Sequence, residues 1–258
     1  MTTVTDQVKE KLRAVLVFDQ NMLILAAILG FFAGFASTFF RWMIEFFEST
    51  FSIKGLSLTG IPPQFYPFLL PLMPMLGGCF IGLICKYFPN AVKENGVHKV
   101  MHAVAMDDGK LRKRTITSCA ITSSITIGSG GSAGREGPTV QIGSAIGSTI
   151  GQTLHLSTER IRVLVGCGAA AGIAASFNAP LAGVLFALEI ILGDFTIHTF
   201  SPIIIASVIG TVTGRALEGN EVTFNVPVHE LVHPSEIIFY LALGVLCGIV
   251  ARLFTFSY

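Results

Sequence analysis

Charged residues are scarce in this chain. Lys and Arg number 17 and Asp and Glu number 16 among 258 residues, so only 13% of the sequence is charged. A typical soluble domain carries about 25%. With 52% hydrophobic residues and a mean hydropathy of +0.69, this deficit predicts a polytopic membrane protein. The net charge of +1, without a broad basic face, argues against a nucleic-acid partner.

The sequence also lacks the spacings that mark metal sites and disulfide frameworks. There is no CxxC pair, and the cysteines all lie in apolar surroundings, which favours reduced packing residues. His98 has no partner at ligand spacing. We therefore expect no metal and no cofactor. The five cysteines are Cys79, Cys85, Cys119, Cys167 and Cys247.

The first twenty residues lack the pattern of a cleavable signal peptide. They are polar and of mixed charge, and Lys9, Lys11 and Arg13 favour the cytoplasmic side. We interpret residues 1–20 as a cytoplasmic lead-in and residues 21–258 as a transmembrane domain. The expected location is a bacterial-type plasma membrane, with the lipid bilayer as a partner.

Uncharged or nearly uncharged segments recur along the rest of the chain. Residues 22–40, for example, form an apolar run long enough to cross a hydrocarbon core about 30 Å thick. Several other segments are short or interrupted by glycine, which predicts an all-α polytopic membrane protein with tilted and broken helices. The segments cover residues 21–50, 61–85, 115–134, 137–155, 163–188, 195–214 and 235–258.

The most informative stretch, residues 128–138, places Arg135 and Glu136 between two uncharged runs. Ionisable side chains at membrane depth are costly and mark ion or substrate pathways. The glycines here let the backbone leave helical geometry, and Pro138 suits the start of a new helix. Such a helix presents its positive end to an anion, and the Glu136 carboxylate competes for the same place. The pattern predicts an anion site gated by Glu136.

Two further motifs contain a helix break or a helix cap. In residues 174–183, Pro180 restarts a helix after a break, although a kinked packing helix fits this pattern equally well. Glu189 follows and either caps the next segment or faces a polar vestibule. In residues 94–98, Asn95 suits the cap of a short amphipathic helix.

A hydrolase motif is also present in form. Residues 130–134 fit the pattern G-x-S-x-G, with Ser132 as the nucleophile. That motif requires a preceding strand, whereas residues 120–127 lie in an uncharged, membrane-like run. The later histidines lie at segment ends or in a hydrophilic loop, so we expect no enzyme.

Two segments together resemble a known family. Residues 134–141 (GREGPTVQ) and 177–189 (FNAPLAGVLFALE) resemble signature motifs of the CLC family of chloride channels and chloride/proton exchangers, in order and separation. The similarity extends over nearly the whole chain. It implies a homodimer in which each subunit has its own pore, built from two inverted halves. The chain resembles the first half and the opening helix of the second. The second half's Gly-x-Phe-x-Pro loop and inner-gate tyrosine do not occur before Tyr258.

The resemblance assigns roles to individual residues. Glu136 corresponds to the external gating glutamate, and the backbone from Arg135 to Gly137 helps to form the outer anion site. Residues 94–98 stand where the family usually has Gly-Ser-Gly-Ile-Pro. Asn95 thus takes the place of the inner-site serine, followed by Gly96 and Val97.

The implied function is voltage- or pH-gated transport of chloride or a similar small anion. Many exchangers of the family have a second glutamate just after the position of Glu189, as an internal proton relay. This chain has Ile190 there, which favours passive conduction. A proton path through Glu189 and Ile190, a proton-coupled antiporter and a non-conducting half-protein stay open as alternatives.

Overall fold

A computed structural model of the chain describes residues 4–52, 55, 57, 62–87, 96–219 and 233–257. These residues form helices joined by turns, with no strand among them, which confirms the predicted all-α class. A 3-10 turn at Pro63–Phe65 and a π-helical segment at Ala187–Leu192 supplement the α-helices. Helices α1 to α10 are, in order, Val4–Phe51, Tyr66–Leu69, Leu72–Tyr87, Val97–Met106, Arg114–Gly128, Glu136–Thr153, Thr158–Phe177, Pro180–Phe186, Ile197–Glu218 and Glu236–Ser257.

Within the described ranges, four helices are long and apolar enough to cross a membrane: Gln20–Phe51 of α1, and α7, α9 and α10. Shorter apolar helical stretches occur at Leu72–Tyr87 and Pro180–Leu192. The 16 residues of α3 cover only about 24 Å at 1.5 Å per residue, less than the hydrocarbon core of about 30 Å. The chain is thus an integral membrane protein that combines full spans with short, broken ones.

Helix α1 is longer than a bilayer crossing requires. It continues for 48 residues without a break, about 72 Å at 1.5 Å per residue. The boundary predicted after residue 20 therefore falls inside a continuous helix. One face, with Leu29 and Ala33, is buried, whereas Phe31 and Phe39 on other faces are exposed and suit contact with lipid.

Helix α7 is the most buried of the spanning helices, and it packs against α1, α6, α8 and α9. Glycine makes this packing close. A methyl group on Gly143 of α6 or Gly168 of α7 would collide with the backbone of the other residue. On Gly210 of α9 it would lie 3.0 Å from the Cα of Ala171. Small residues let membrane helices approach in this way.

Buried hydroxyl groups bond to carbonyl groups of neighbouring helices. Ser37 of α1 donates to the carbonyl oxygen of Gly172 in α7 at 3.2 Å, and Ser144 of α6 donates to that of Val165 at 3.2 Å. Lipid offers no hydrogen-bond partner, so each polar group must be satisfied within the protein. These bonds stabilise the assembly of α1, α6 and α7.

Residues 1–223 form one compact unit and residues 224–258 a second. Within the second unit, α10 is an apolar helix of 22 residues. Its first residue, Glu236, accepts a hydrogen bond from the backbone N–H of His233 at 3.3 Å. The sequence predicted this helix from residue 235 onward.

Candidate functional site

The N-termini of α4 and α6 lie side by side. Helix α4 begins after Gly96, whose φ of 113° is readily adopted only by glycine. Helix α6 begins at Glu136, and a methyl group on Gly137 would lie 3.5 Å from the Cα of Gly96. The structure therefore brings Gly96, which precedes Val97, close to Gly137, which follows Glu136. The resemblance assigned the first two residues to the inner site and the last two to the outer site. Asn95 lies outside the described residues.

Helix N-termini are chemically suited to anions. The first amides of a helix have no partner within the helix, and the aligned peptide dipoles add a partial positive charge there. Pro138 is the third residue of α6, where its missing N–H removes no helical hydrogen bond. Helix α6 thus starts two residues before the proline that predicted it.

The irregular segment before α6 positions Glu136. Helix α5 ends at Gly128, and Gly130 has a φ of 91°. The Glu136 side chain is exposed and folds back over Gly134, where a methyl group would collide with its Oε2 atom. Glycine at position 134 therefore makes room for the carboxylate at the accessible side of the α6 N-terminus.

Arg135 connects the two sequence motifs. Its guanidinium carbon lies 4.9 Å from the centroid of the Phe177 ring, a cation–π contact. Phe177 is the last residue of α7 and the first residue of the second motif. The motif that contains Glu136 and the motif that contains the helix break thus meet in space.

The break predicted before Pro180 is a true interruption rather than a kink. Asn178 has a left-handed conformation with φ 54°, and α8 starts at Pro180. The Oδ1 atom of Asn178 accepts a hydrogen bond from Nε of Arg215 in α9 at 2.6 Å. The end of α7 is therefore fixed to α9.

A charged network that the sequence analysis missed lies beside this break. Arg41 of α1 contacts Glu218 of α9 at 2.6 Å and Glu45 at 3.0 Å. Arg41, Arg215 and Glu218 line one small cavity with Asn178. The available signal was the presence of these ionisable residues near the ends of long apolar helices.

Glu189 and Ile190 lie in a different place. Both line a cavity of about 910 Å³, whose wall also includes Arg162 and Thr158 from the start of α7. Thr158 and Phe177 are the two ends of α7, about 29 Å apart at 1.5 Å per residue. One helix length thus separates the wall of this cavity from the break beside Arg135.

The segment that contains Glu189 is π-helical. It extends from Ala187 to Leu192 and ends at Gly193, which has a φ of 64°. Glu189 lies inside this segment and not at its end. Single π-turns occur frequently at functional sites.

The described residues also bear on two other candidates from the sequence, the hydrolase motif at Ser132 and a metal site. Residues 130–134 follow helix α5, so the strand that a hydrolase nucleophile elbow requires does not precede Ser132. Among the residues that the structure describes, no group of His, Cys, Asp or Glu is arranged to hold a metal ion.

The fold and the site define a polytopic membrane protein with broken helices, in which the N-termini of α4 and α6 lie close together at Gly96 and Gly137. A family model described as voltage gated chloride channel matches residues 77–258. The chain belongs to this family, the CLC family.

Curated relatives share this assignment. Chloride channel protein CLC-f of Arabidopsis thaliana is 32% identical over 196 residues, which are 71% of this chain and 24% of that protein. The H(+)/Cl(-) exchange transporter ClcA of Vibrio cholerae is 29% identical over 243 residues, 92% of this chain and 51% of that protein. The chain spans about half, or less, of the length of these relatives.

Solved structures have the same fold. A crystal structure of a CLC-type fluoride/proton antiporter matches with a TM-score of 0.70 and 25% identity, over 97% of this chain and 57% of that one. A slow cyanobacterial Cl−/H+ antiporter matches with a TM-score of 0.73 and 25% identity, over 89% and 54% of the two chains. The predicted fold class, part of a CLC-type transmembrane domain, is confirmed.

Proposed function

We propose that this chain forms part of a membrane pathway for chloride or a similar small anion. The anion binds where α4 and α6 begin, and Glu136 controls access to it. The complete pathway operates as a homodimer in a bacterial-type plasma membrane and uses no cofactor.

The observation that carries this proposal is the contact between Gly96 and Gly137. Two helix N-termini that lie side by side repel each other through their partial positive charges, and a negative charge near them offsets that repulsion. Here a methyl group on Gly137 would be only 3.5 Å from the Cα of Gly96. A bound anion and the Glu136 carboxylate both offset that repulsion, so one replaces the other.

Gating follows from this competition. The charged Glu136 side chain stabilises the α6 N-terminus when no anion is present. Protonation or outward rotation of the side chain leaves the helix amides to the anion. Acidification or membrane voltage therefore opens the pathway.

Proton-coupled exchange is a second candidate, supported by the cavity that Glu189 and Ile190 line. Ile190 carries no proton, which favours passive conduction. Glu189 and Asp194 nevertheless line the same cavity of about 910 Å³, which has room for water. These carboxylates offer an alternative to a relay residue at position 190.

Flux from proteoliposomes tests the proposal. Vesicles loaded with chloride and containing this chain should release it faster than empty vesicles, with proton movement recorded by a pH dye. Glu136→Gln should change the rate, whereas Glu48→Gln, at an exposed glutamate of α1, should not. Binding of chloride without flux would identify the chain as a non-conducting half. Absence of both would contradict the proposal.

A further inference from the structure

A buried glutamine links the starts of α4 and α6. The backbone N–H of Gly96 donates a hydrogen bond to the Oε1 atom of Gln141 at 2.8 Å. Gln141 lies in α6 and its side chain is fully buried. Because a backbone N–H can only donate, the amide oxygen of Gln141, and not its nitrogen, must face Gly96.

The position of Gln141 on α6 makes this link direct. It follows Gly137 by four residues, so the two lie on the same face of the helix. Gly137 lies so near Gly96 that an added methyl group would be 3.5 Å from the Gly96 Cα atom, and Gln141 bonds to the same residue with its side chain. Gly96 therefore lies against the face of α6 that carries Gly137 and Gln141, and the hydrogen bond to Gln141 holds it there.

A third helix meets the same oxygen atom. The Sγ atom of Cys119 in α5 lies 3.3 Å from Oε1 of Gln141 and is fully buried. The thiol is a weak donor, so its bond adds less than the amide bond does. Gln141 thus joins α4, α5 and α6 at a single buried acceptor.

This arrangement changes which amides face an anion. Gly96 is one of the residues that the resemblance placed at the inner anion site, but its backbone N–H is engaged by Gln141. The next amides of α4, those of Val97 and His98, belong to the first turn and have no partner within the helix. Gly96 serves as the left-handed entry that orients them, with its φ of 113°.

We propose that Gln141 is a positioning residue that fixes the Gly96 backbone to α6, so that the amides of Val97 and His98 face the anion. This inference rests on the proposed anion site. The link also ties the start of α4 to the helix that Glu136 begins, so movement at one N-terminus reaches the other.

Hydrogen exchange tests the link without reference to anion transport. In the purified chain in detergent, peptides spanning Gly96 should exchange about tenfold faster in Gln141→Leu than in the wild type, because the acceptor is lost. Gln152→Leu is the matched control, since Gln152 lies in α6 but bonds to the carbonyl oxygen of Leu111. Equal exchange in Gln141→Leu and the wild type would overturn the link.

Two further measurements complete the test. Gln141→Glu keeps an oxygen acceptor and should keep slow exchange, which also covers the case in which Gln141→Leu does not fold. Calorimetric titration with chloride should show about tenfold weaker binding in Gln141→Leu and unchanged binding in Gln152→Leu. Faster exchange with unchanged affinity would overturn the positioning role. Absence of chloride binding in the wild type would contradict the proposed function, and exchange would still decide the link.

Discussion

Arg215 donates from Nε to Oδ1 of Asn178 at 2.6 Å, across the break between α7 and α8. Asn178 is in the left-handed conformation, and the residue before it, Phe177, supports the Arg135 guanidinium. Arg215 therefore fixes the helix break at Asn178, next to the Phe177 ring that Arg135 contacts. Through these contacts, α9 is connected to the residue that precedes the candidate gate.

We predict that substitutions at Asn178 separate the conformational effect from the hydrogen bond. Asn178→Gly keeps the left-handed backbone but loses the side chain and its bond to Arg215, and loss of that bond costs about 1 kcal/mol. Asn178→Ala loses the bond and also strains the backbone by about 1–2 kcal/mol. Asn178→Asp keeps the acceptor and should match the wild type. Thermal unfolding in detergent should rank Asp, Gly and Ala in decreasing stability, and equal stability of Gly and Ala would contradict the conformational role.

The glycine contact between α6 and α7 gives a second prediction. Gly143→Ala places a methyl group against the Gly168 backbone, which cannot yield as a side chain could. Such overpacking costs about 1–3 kcal/mol. We expect a lower unfolding temperature in detergent and less folded protein in membranes.

A matched control exists for this substitution. A methyl group on Gly82 of α3 would meet nothing within 4 Å in the described structure. Gly82→Ala should therefore leave the unfolding temperature unchanged or raise it slightly, since alanine is favoured in helices. A similar loss of stability in both variants would mean that close helix contact is not the cause.

Much of this architecture could be predicted from sequence, because it depends on local patterns. Charge scarcity and apolar runs predicted the helices, and Pro180 predicted the restart after the break. Glu136 could be identified because a carboxylate between uncharged membrane segments is energetically costly and usually has a function. These signals lie within a few consecutive residues.

Contacts between distant residues left no such signal. The bond between Gly96 and Gln141 spans 45 residues, and the Arg41–Glu218 ion pair spans 177. The residues around Gln141 in the sequence do not reveal whether its side chain bonds to another helix or packs against neighbours in its own helix. The π-helical segment around Glu189 was also missed, because its residues are ordinary helix formers.

External pH should control anion movement through Glu136. As the pH falls, protonation removes the carboxylate charge that competes with the anion, so flux of the wild type should rise. Glu136→Gln lacks that charge at every pH, and its flux should be high and independent of external pH. Flux of Glu48→Gln should keep the dependence of the wild type. A pH-dependent Glu136→Gln variant would contradict the assignment of the gate.

Proton coupling should follow from the residue at position 190. Ile190 and Glu189 line the same cavity, and of these two residues only Glu189 carries a titratable group. If Ile190 reflects passive conduction, a chloride gradient should drive no proton uphill in proteoliposomes that contain the complete pathway.

Uphill proton movement would contradict passive conduction, and Glu189→Gln would then show where the protons enter. Loss of proton movement with retained chloride flux would assign the relay to Glu189, because the carboxylate is the only group removed. Retained proton movement would direct attention to Glu159 and Asp194, the carboxylates that line this cavity with Glu189.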